Sequence, residues 1–297
     1  MNYRELVTKY KNLCSKNNIP KETAMFYMVE LTQENKNNLY MNFENEVPTD
    51  FLEKYERGME RILKHEPVQH VLGFSWFYGY KFIVNKDVLI PRYETEELVS
   101  NILMSMDDRF DNKDLVICDI GTGSGAIAIT LKKEEKDLTV YASDISEDAI
   151  KVAKENAKLN NVDINFMVGD MLEPLKDIKL DILICNPPYI PSDEVLEESV
   201  KEYEPHVALF GGEDGLKYYK HIFKNCKSYL KEKSFMAFEI GWNQKEALSK
   251  ELIKTLPEAT FEFIKDINGK DRMLFVYFSW EILFKISFNF AKYLIIF

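Results

Sequence analysis

Cysteine is scarce, with four in 297 residues, at Cys14, Cys118, Cys185 and Cys226, and no C-x-x-C pair among them. That spacing excludes a disulfide framework and gives no metal site, so reduced thiols in a cytoplasmic protein are expected. Cys118 and Cys185 sit in apolar runs and read as small buried hydrophobes. Basic residues are short too. Lys and Arg total 38 against 49 Asp and Glu, a net charge of −11. Direct nucleic-acid binding is disfavoured on that balance, because phosphates are neutralised by clustered cations. Met1-Asn2-Tyr3-Arg4-Glu5 leads into no apolar signal region. A membrane-spanning run is also missing, since the last segment, WEILFKISFNFAKYLIIF from Trp280, is interrupted by Glu281, Lys285 and Lys292. Residues 279–297 are read as an apolar extension foreign to the fold, in preference to an interfacial or partner-binding helix.

What is present suits a soluble chain with one large domain and a smaller one: 46% hydrophobic and 29% charged residues. Residues 1–72 have helical spacing, with Leu6, Val7, Tyr10 and Leu13 on one stripe and Phe51, Leu52, Tyr55, Met59, Ile62 and Leu63 on another. Pro20 marks a fresh helix start, and Asn35-Lys36-Asn37-Asn38 reads as a polar connection. Residues 73–88 hold the aromatic run FSWFYGYKFIV, expected to form a β-hairpin linker around Gly79. Thr95 is a candidate N-cap for a helix running to about Met104. Beyond Leu115 strand-like runs alternate with helical ones, at Leu115–Ile120, Leu138–Ser143, Ile164–Val168, Asp181–Cys185 and Phe235–Ile240. Two further runs, Thr260–Ile264 and Met273–Phe278, flank the turn Asn268-Gly269. The alternation predicts an α/β fold with a doubly wound, mostly parallel sheet over residues 89–278, ending in an antiparallel hairpin.

The chemistry is concentrated at predicted strand ends. Gly121-Thr122-Gly123-Ser124-Gly125 leaves one strand and enters a helix, the place where a backbone can approach a nucleotide-like ligand closely. Its G-x-G-x-G spacing and lack of a P-loop lysine favour S-adenosylmethionine (AdoMet) over a pyrophosphate-bearing cofactor. Asp144 closes the next strand, about twenty residues on, where a carboxylate can accept hydrogen bonds from ribose hydroxyls. Asp170 or the Met171 backbone is placed to meet an adenine. Asn186-Pro187-Pro188-Tyr189 closes the fourth strand beside the glycine loop. An amide nitrogen is a poor nucleophile because its lone pair is delocalised. If the Asn186 side-chain oxygen and the Pro187 carbonyl each accept one N–H, the nitrogen is held facing a sulfonium methyl, and Tyr189 packs on the planar group. Glu204-Pro205-His206 and Gly211-Gly212-Glu213-Asp214-Gly215 lie in a long segment read as a lid, with His206 as a surface histidine. Glu239-Ile240-Gly241 and Gln244 end the fifth strand near the pocket, with Glu239 read as structural, and Arg92 and Glu96 read as a bridge from linker to catalytic domain.

Several blocks together resemble the protein-(glutamine-N5) methyltransferases that modify peptide chain release factors. They are Pro67-Val68-Gln69 with Gly73, Leu89-Ile90-Pro91-Arg92 with Thr95-Glu96, Asp119 to Gly125, Asp144, Asn186 to Ile190, Glu204-Pro205, Gly211-Gly212, Asp214-Gly215-Leu216, Glu239-Ile240-Gly241 and Asp271-Arg272. The resemblance implies a class I AdoMet methyltransferase with a seven-stranded catalytic domain and a small amino-terminal helical domain for substrate recognition. It implies methylation of the glutamine amide in a Gly-Gly-Gln tripeptide of release factors, by a cytoplasmic monomer that engages no membrane. Carried over by position, Gly121, Thr122, Gly123, Ser124, Gly125, Asp144, Met171 and Asn186 bind the cofactor. Asn186, Pro187, Pro188 and Tyr189 bind the substrate, with Asn186, Pro187 and Tyr189 catalytic. Tyr93, His70 and Met171 depart from the family's usual residues, none at the transfer chemistry. The alternatives are a methyltransferase for amino groups of rRNA or DNA, since NPPY occurs there too, and a non-catalytic AdoMet-binding protein.

Overall fold

The computed structural model of the chain describes residues 1–194 and 202–278. The extension expected at 279–297 lies outside them, as does part of the segment read as a lid. Two compact units are formed. In the described residues the first holds 1–75, 84–86 and 202–204, and the second holds 76–83, 87–194 and 205–278.

Among its described residues the first unit carries the helices α1 Tyr3–Lys16, α2 Glu22–Thr32, α3 Lys36–Met41, α4 Thr49–Ile62 and α5 Val68–Leu72. α1 starts at a capping box, in which the Asn2 side chain accepts the Glu5 N–H and the Glu5 carboxylate accepts the Asn2 N–H. Leu6, Tyr10, Met28, Tyr55 and Met59 form its core. Gly58 permits the close packing of α4 on α2, because a Cβ there would lie 1.9 Å from the Tyr27 hydroxyl oxygen. The polar tract at Asn35 is no mere connection. Asn35 caps α3 by accepting the Asn38 N–H at 2.8 Å, the local bond that makes asparagine a helix starter.

β1 Phe74–Phe77 and β2 Tyr80–Ile83 pair as the expected hairpin. Tyr78 and Gly79 between them both have positive φ, as a two-residue hairpin turn with the right twist requires.

The second unit is built on β3 Val116–Ile120, β4 Thr139–Asp144, β5 Asn165–Val168, β6 Leu180–Cys185, β7 Leu230–Glu239, β8 Thr260–Lys265 and β9 Asp271–Phe278. They form one sheet in the order β5-β4-β3-β6-β7-β9-β8, with β9 antiparallel to both its neighbours. Helices α6 Tyr93–Arg109, α7 Ala126–Glu134, α8 Glu147–Leu159, α9 Lys217–Asn225 and α10 Lys245–Thr255 cover the two faces. β6 is buried at every position, with Ile182 and Ile184 in one face's core and Leu183 and Cys185 in the other's, as a central parallel strand requires. Cys118 and Cys185 are buried as expected.

Two boundaries differ from the sequence expectation. α6 begins at Tyr93 and extends to Arg109, so Thr95 lies inside its first turn rather than at its cap. β7 begins at Leu230, four to five residues before the apolar run. Its first turn of sequence, Lys231-Glu232-Lys233, is polar because that end of the strand is exposed. The expected start of α8 is found in place: Ser146 accepts the Ala149 N–H. Order of succession reverses between β3 and β6, and ligands of such sheets collect at the carboxyl ends of the strands flanking that point.

Candidate active site

β3 ends in Asp119 and Ile120, and the chain then turns through Gly121, Gly123 and Gly125, whose φ values are 70°, 55° and 82°. Left-handed backbone at alternate positions turns the chain from strand to helix within one short loop, and only glycine adopts it without strain. The loop is tied to β4: the Gly121 and Thr122 N–H groups both donate to the Ser143 carbonyl, at 2.8 and 2.9 Å. Asp144 completes the tie. Its Oδ2 accepts the Gly123 N–H and its Oδ1 the Ser146 N–H, each at 2.9 Å. Beneath the loop, Asp119 is 1% exposed and accepts the Thr122 hydroxyl at 2.6 Å. Burial pushes its carboxyl up to about 7, and the neighbouring Asp144 adds to the rise while the Thr122 bond opposes it. Burial raises Asp144 as well, against the pull of the Ser146 and Gly123 bonds. On the far side Asn156 of α8 donates to the Ser124 carbonyl at 2.9 Å, and it holds Ile83 of the hairpin by both its N–H and its carbonyl.

A cavity of about 1070 Å³, its open mouth included, lies over these strand ends. Gly121, Thr122, Gly123 and Ser124 line one wall, Asp144, Asp170 and Met171 the next, and Asn186 and Pro188 the far side. One continuous space therefore joins the glycine loop to the Asn-Pro-Pro-Tyr segment. Gly125, Pro187 and Tyr189 lie outside its lining. Gly125 serves packing instead, since a Cβ there would come within 2.8 Å of Ile129 and 3.2 Å of Ala153. Arg92 and the preceding Val88 and Leu89 do line it, as do Pro205 and Val207. His206 is exposed, edge-on to Phe210.

The Asn186 side chain has a fixed polarity. Its Nδ2 donates to Glu239 Oε2 at 3.0 Å and to Thr95 Oγ1 at 3.3 Å. Thr95 in turn donates its hydroxyl to the same Glu239 oxygen at 2.6 Å. Glu239 Oε1 accepts the Tyr189 hydroxyl at 3.3 Å. Glu239 is 3% exposed, and burial raises its carboxyl above the usual range while the Thr95 bond and the Arg272 charge hold it down. The backbone of the segment is held as firmly. Ile190 exchanges hydrogen bonds with Leu209 and Gly211, and Gln244 donates to the Tyr189 carbonyl at 2.9 Å. Gly211 and Gly215 thus bed the segment rather than cover it. Cβ atoms there would lie 2.5 Å from the Pro188 carbonyl oxygen and 2.3 Å from that of Tyr189.

Sequence reasoning placed Glu239 and Gln244 near the pocket, Glu239 as structural, but missed the bonds by which Glu239, Thr95 and Gln244 hold the Asn-Pro-Pro-Tyr segment. The available signal was positional: Glu239 closes the strand next to β6, so its side chain emerges beside Asn186. Glu96, read as a bridge to the linker, accepts the Tyr78 N–H of the hairpin at 2.9 Å. Among the described residues, no cluster of His, Cys, Asp or Glu could hold a metal ion, and no helix is long and apolar enough to cross a membrane.

A seven-stranded sheet of this order, with a glycine loop at the switch point and a carboxylate closing the next strand, defines a class I methyltransferase. Residues 97–203 match the methyltransferase small domain and residues 5–73 the PrmC N-terminal domain. A solved methyltransferase from Pyrococcus furiosus has a similar fold, with a TM-score of 0.50 and 16% identity over 75% of this chain and 98% of that one. In sequence the chain is 43% identical over 245 residues to the release factor glutamine methyltransferase of Bacillus cereus, covering 81% of this chain and 87% of that protein. It is 38% identical over 284 residues to the one from Staphylococcus aureus, covering 94% and 100%. The chain belongs to the family of release factor glutamine methyltransferases.

Proposed function

We propose that this enzyme transfers a methyl group from AdoMet to the side-chain amide nitrogen of the glutamine in the Gly-Gly-Gln tripeptide of peptide chain release factors. The observation that carries this reading is the single cavity lined both by the glycine loop with Asp144 and by Asn186, whose amide nitrogen is held by Glu239 and Thr95. That engagement leaves Asn186 Oδ1 as the polar atom of the amide available to an incoming N–H donor.

The residues present fit AdoMet. Cβ atoms at Gly121 and Gly123 would meet nothing within 4 Å, so the loop backbone borders open space that a nucleoside can enter. Asp144 keeps lone pairs for ribose hydroxyls beyond the two it lends to backbone N–H groups. Asp170 and Met171 line the wall where the adenine is assigned. AdoMet supplies an electrophilic methyl group on a sulfonium sulfur. The chain's own contribution is orientation. Asn186 Oδ1 and the carbonyl of Pro187, a residue just outside the cavity lining, accept the two hydrogens of the glutamine amide in this reading, holding its nitrogen with the lone pair free to face the methyl group. Positioning of this kind supplies several kcal/mol of a barrier without a strong base. The glutamine nitrogen gives up a proton to solvent after transfer. Residues 1–72 recognise the release factor, 73–88 link them to the catalytic residues 89–278, and the enzyme acts as a monomer in the cytoplasm, where release factors work.

The test is mass spectrometry of a release-factor digest with and without enzyme and AdoMet. One added methyl on the tripeptide glutamine is expected. Label from radioactive AdoMet entering total rRNA and not the release factor would favour the nucleic-acid alternative and end this reading.

A further inference from the structure

Thr95, Asn186 and Glu239 close a triangle of hydrogen bonds whose proton directions are dictated by chemistry. An ionised carboxylate only accepts, so Thr95 must donate its single hydroxyl proton to Glu239 Oε2. The Thr95 oxygen then turns a lone pair towards Asn186. The Asn186 amide consequently faces two acceptors, Glu239 Oε2 at 3.0 Å and Thr95 Oγ1 at 3.3 Å, which lie side by side and share its Nδ2 as donor. Rotating that amide by half a turn would set Oδ1 against a carboxylate oxygen and a hydroxyl lone pair at about 3 Å, in a site where Glu239 is 3% exposed. Low local dielectric magnifies that repulsion. A free asparagine would populate both orientations, and only one of them offers an acceptor to the cavity.

We propose that Glu239 and Thr95 are positioning residues that lock the Asn186 side-chain amide with its oxygen towards the cavity, so that the transfer site is built to accept an N–H. The inference rests on the amide-methylation reading above. Glu239 serves the same segment at its other end, where Oε1 holds the Tyr189 hydroxyl. One carboxylate thereby fixes the first and last side chains of Asn186-Pro187-Pro188-Tyr189. Glu94 and Arg272 are the other charged groups facing it, of opposite sign to each other.

The test compares Thr95→Val, Thr95→Ser, Glu239→Gln and Asn186→Ala in the full chain, reading kcat and KM for the release factor and AdoMet affinity by calorimetry. Proteins labelled with 15N-asparagine report the Asn186 side-chain NH2 signals directly. Thr95→Val and Glu239→Gln are expected to lower kcat about 10- to 100-fold, the scale of a misoriented catalytic group. AdoMet affinity is expected to stay within about twofold, and the slow solvent exchange of the Asn186 NH2 is lost. Thr95→Ser, which keeps the hydroxyl, recovers most of the rate lost in the valine variant. The lock is overturned if Asn186→Ala is inactive while Thr95→Val and Glu239→Gln turn over within twofold of wild type. It is equally overturned if those two variants lose AdoMet affinity in proportion to rate. Activity surviving in Asn186→Ala would overturn the amide reading itself, and the NH2 exchange data would still show whether the side chain is held.

Discussion

Asn186 and Asp144 carry opposite duties at either side of the cavity, and their hydrogen bonds give different expectations for their loss. On the proposed reading Asn186→Ala removes an acceptor for the substrate amide and a cofactor contact assigned by resemblance, so turnover should fall by about two orders of magnitude, well beyond any loss of AdoMet affinity. Single-turnover transfer to a release factor, beside calorimetry with AdoMet, separates the two effects. Asp144→Ala removes the acceptor for the Gly123 and Ser146 N–H groups and, on the proposed reading, the carboxylate that meets the ribose. AdoMet Kd should rise at least about tenfold, equal to about 1.4 kcal/mol, and unfolding should shift by about 1–3 kcal/mol because backbone donors lose their partner. An unchanged Kd would remove Asp144 from the cofactor site. Both residues were legible as residues: each is a polar side chain at the end of an apolar run, at an offset from the glycine loop that sequence displays. The pairing of Glu239 and Thr95 with Asn186 was not. Nothing local to Glu239-Ile240-Gly241 says that its neighbour is Asn186, fifty-three positions earlier, because that adjacency is made by the β6–β7 pairing.

Among the elements, those governed by local bonds were read closely and those governed by packing were not. α8 begins where Ser146 caps it and ends at Leu159, as its own sequence dictates. α6 runs past Met104 to Arg109, since Met106 is buried in the core and keeps the helix going after the apolar stripe weakens. The glycine turn just before α9 follows the same logic. Gly215 has φ near +70°, and a Cβ there would meet the Tyr189 carbonyl at 2.3 Å. Gly215→Ala should therefore destabilise by about 2 kcal/mol or more and displace the Asn186–Tyr189 segment. A urea midpoint and turnover equal to wild type would contradict that placement. Ser146→Ala offers a contrast within the same unit. Loss of an N-cap bond should cost about 1 kcal/mol in stability and leave turnover largely intact.

For the whole molecule, buried acids set the response to pH. Asp119, Asp144 and Glu239 all have carboxyls raised by burial. A carboxyl whose pKa is higher folded than unfolded binds its proton more tightly in the folded state, so stability falls as pH climbs between the two values. For Asp119 that interval runs from its ordinary value of 3.8 to about 7. Asp214, Glu258 and Asp266 are shifted the other way and lose their contribution only at acid pH, below the ordinary carboxylate range. Denaturant midpoints should therefore decline from about pH 4 to about pH 7. The decline should be shallower in Asp119→Asn, which can still accept the Thr122 hydroxyl. A midpoint that rises over that range, or an asparagine variant as steep as wild type, would refute the assignment of Asp119 as the dominant buried acid.

Local chemistry alone determined much of this protein. Glycine conformational freedom, strand–helix alternation and polar residues at strand ends specified a doubly wound sheet, a glycine loop between strand and helix, and a polar segment closing the fourth strand, because each depends on neighbours a few positions away. Tertiary structure decided the remainder. Strand order placed β6 between β3 and β7, which brought Asn186 to the glycine loop on one side and to Glu239 on the other. Which side-chain atom of Asn186 faces the cavity is likewise a tertiary outcome, since it depends on proton directions shared among three residues on three separate elements.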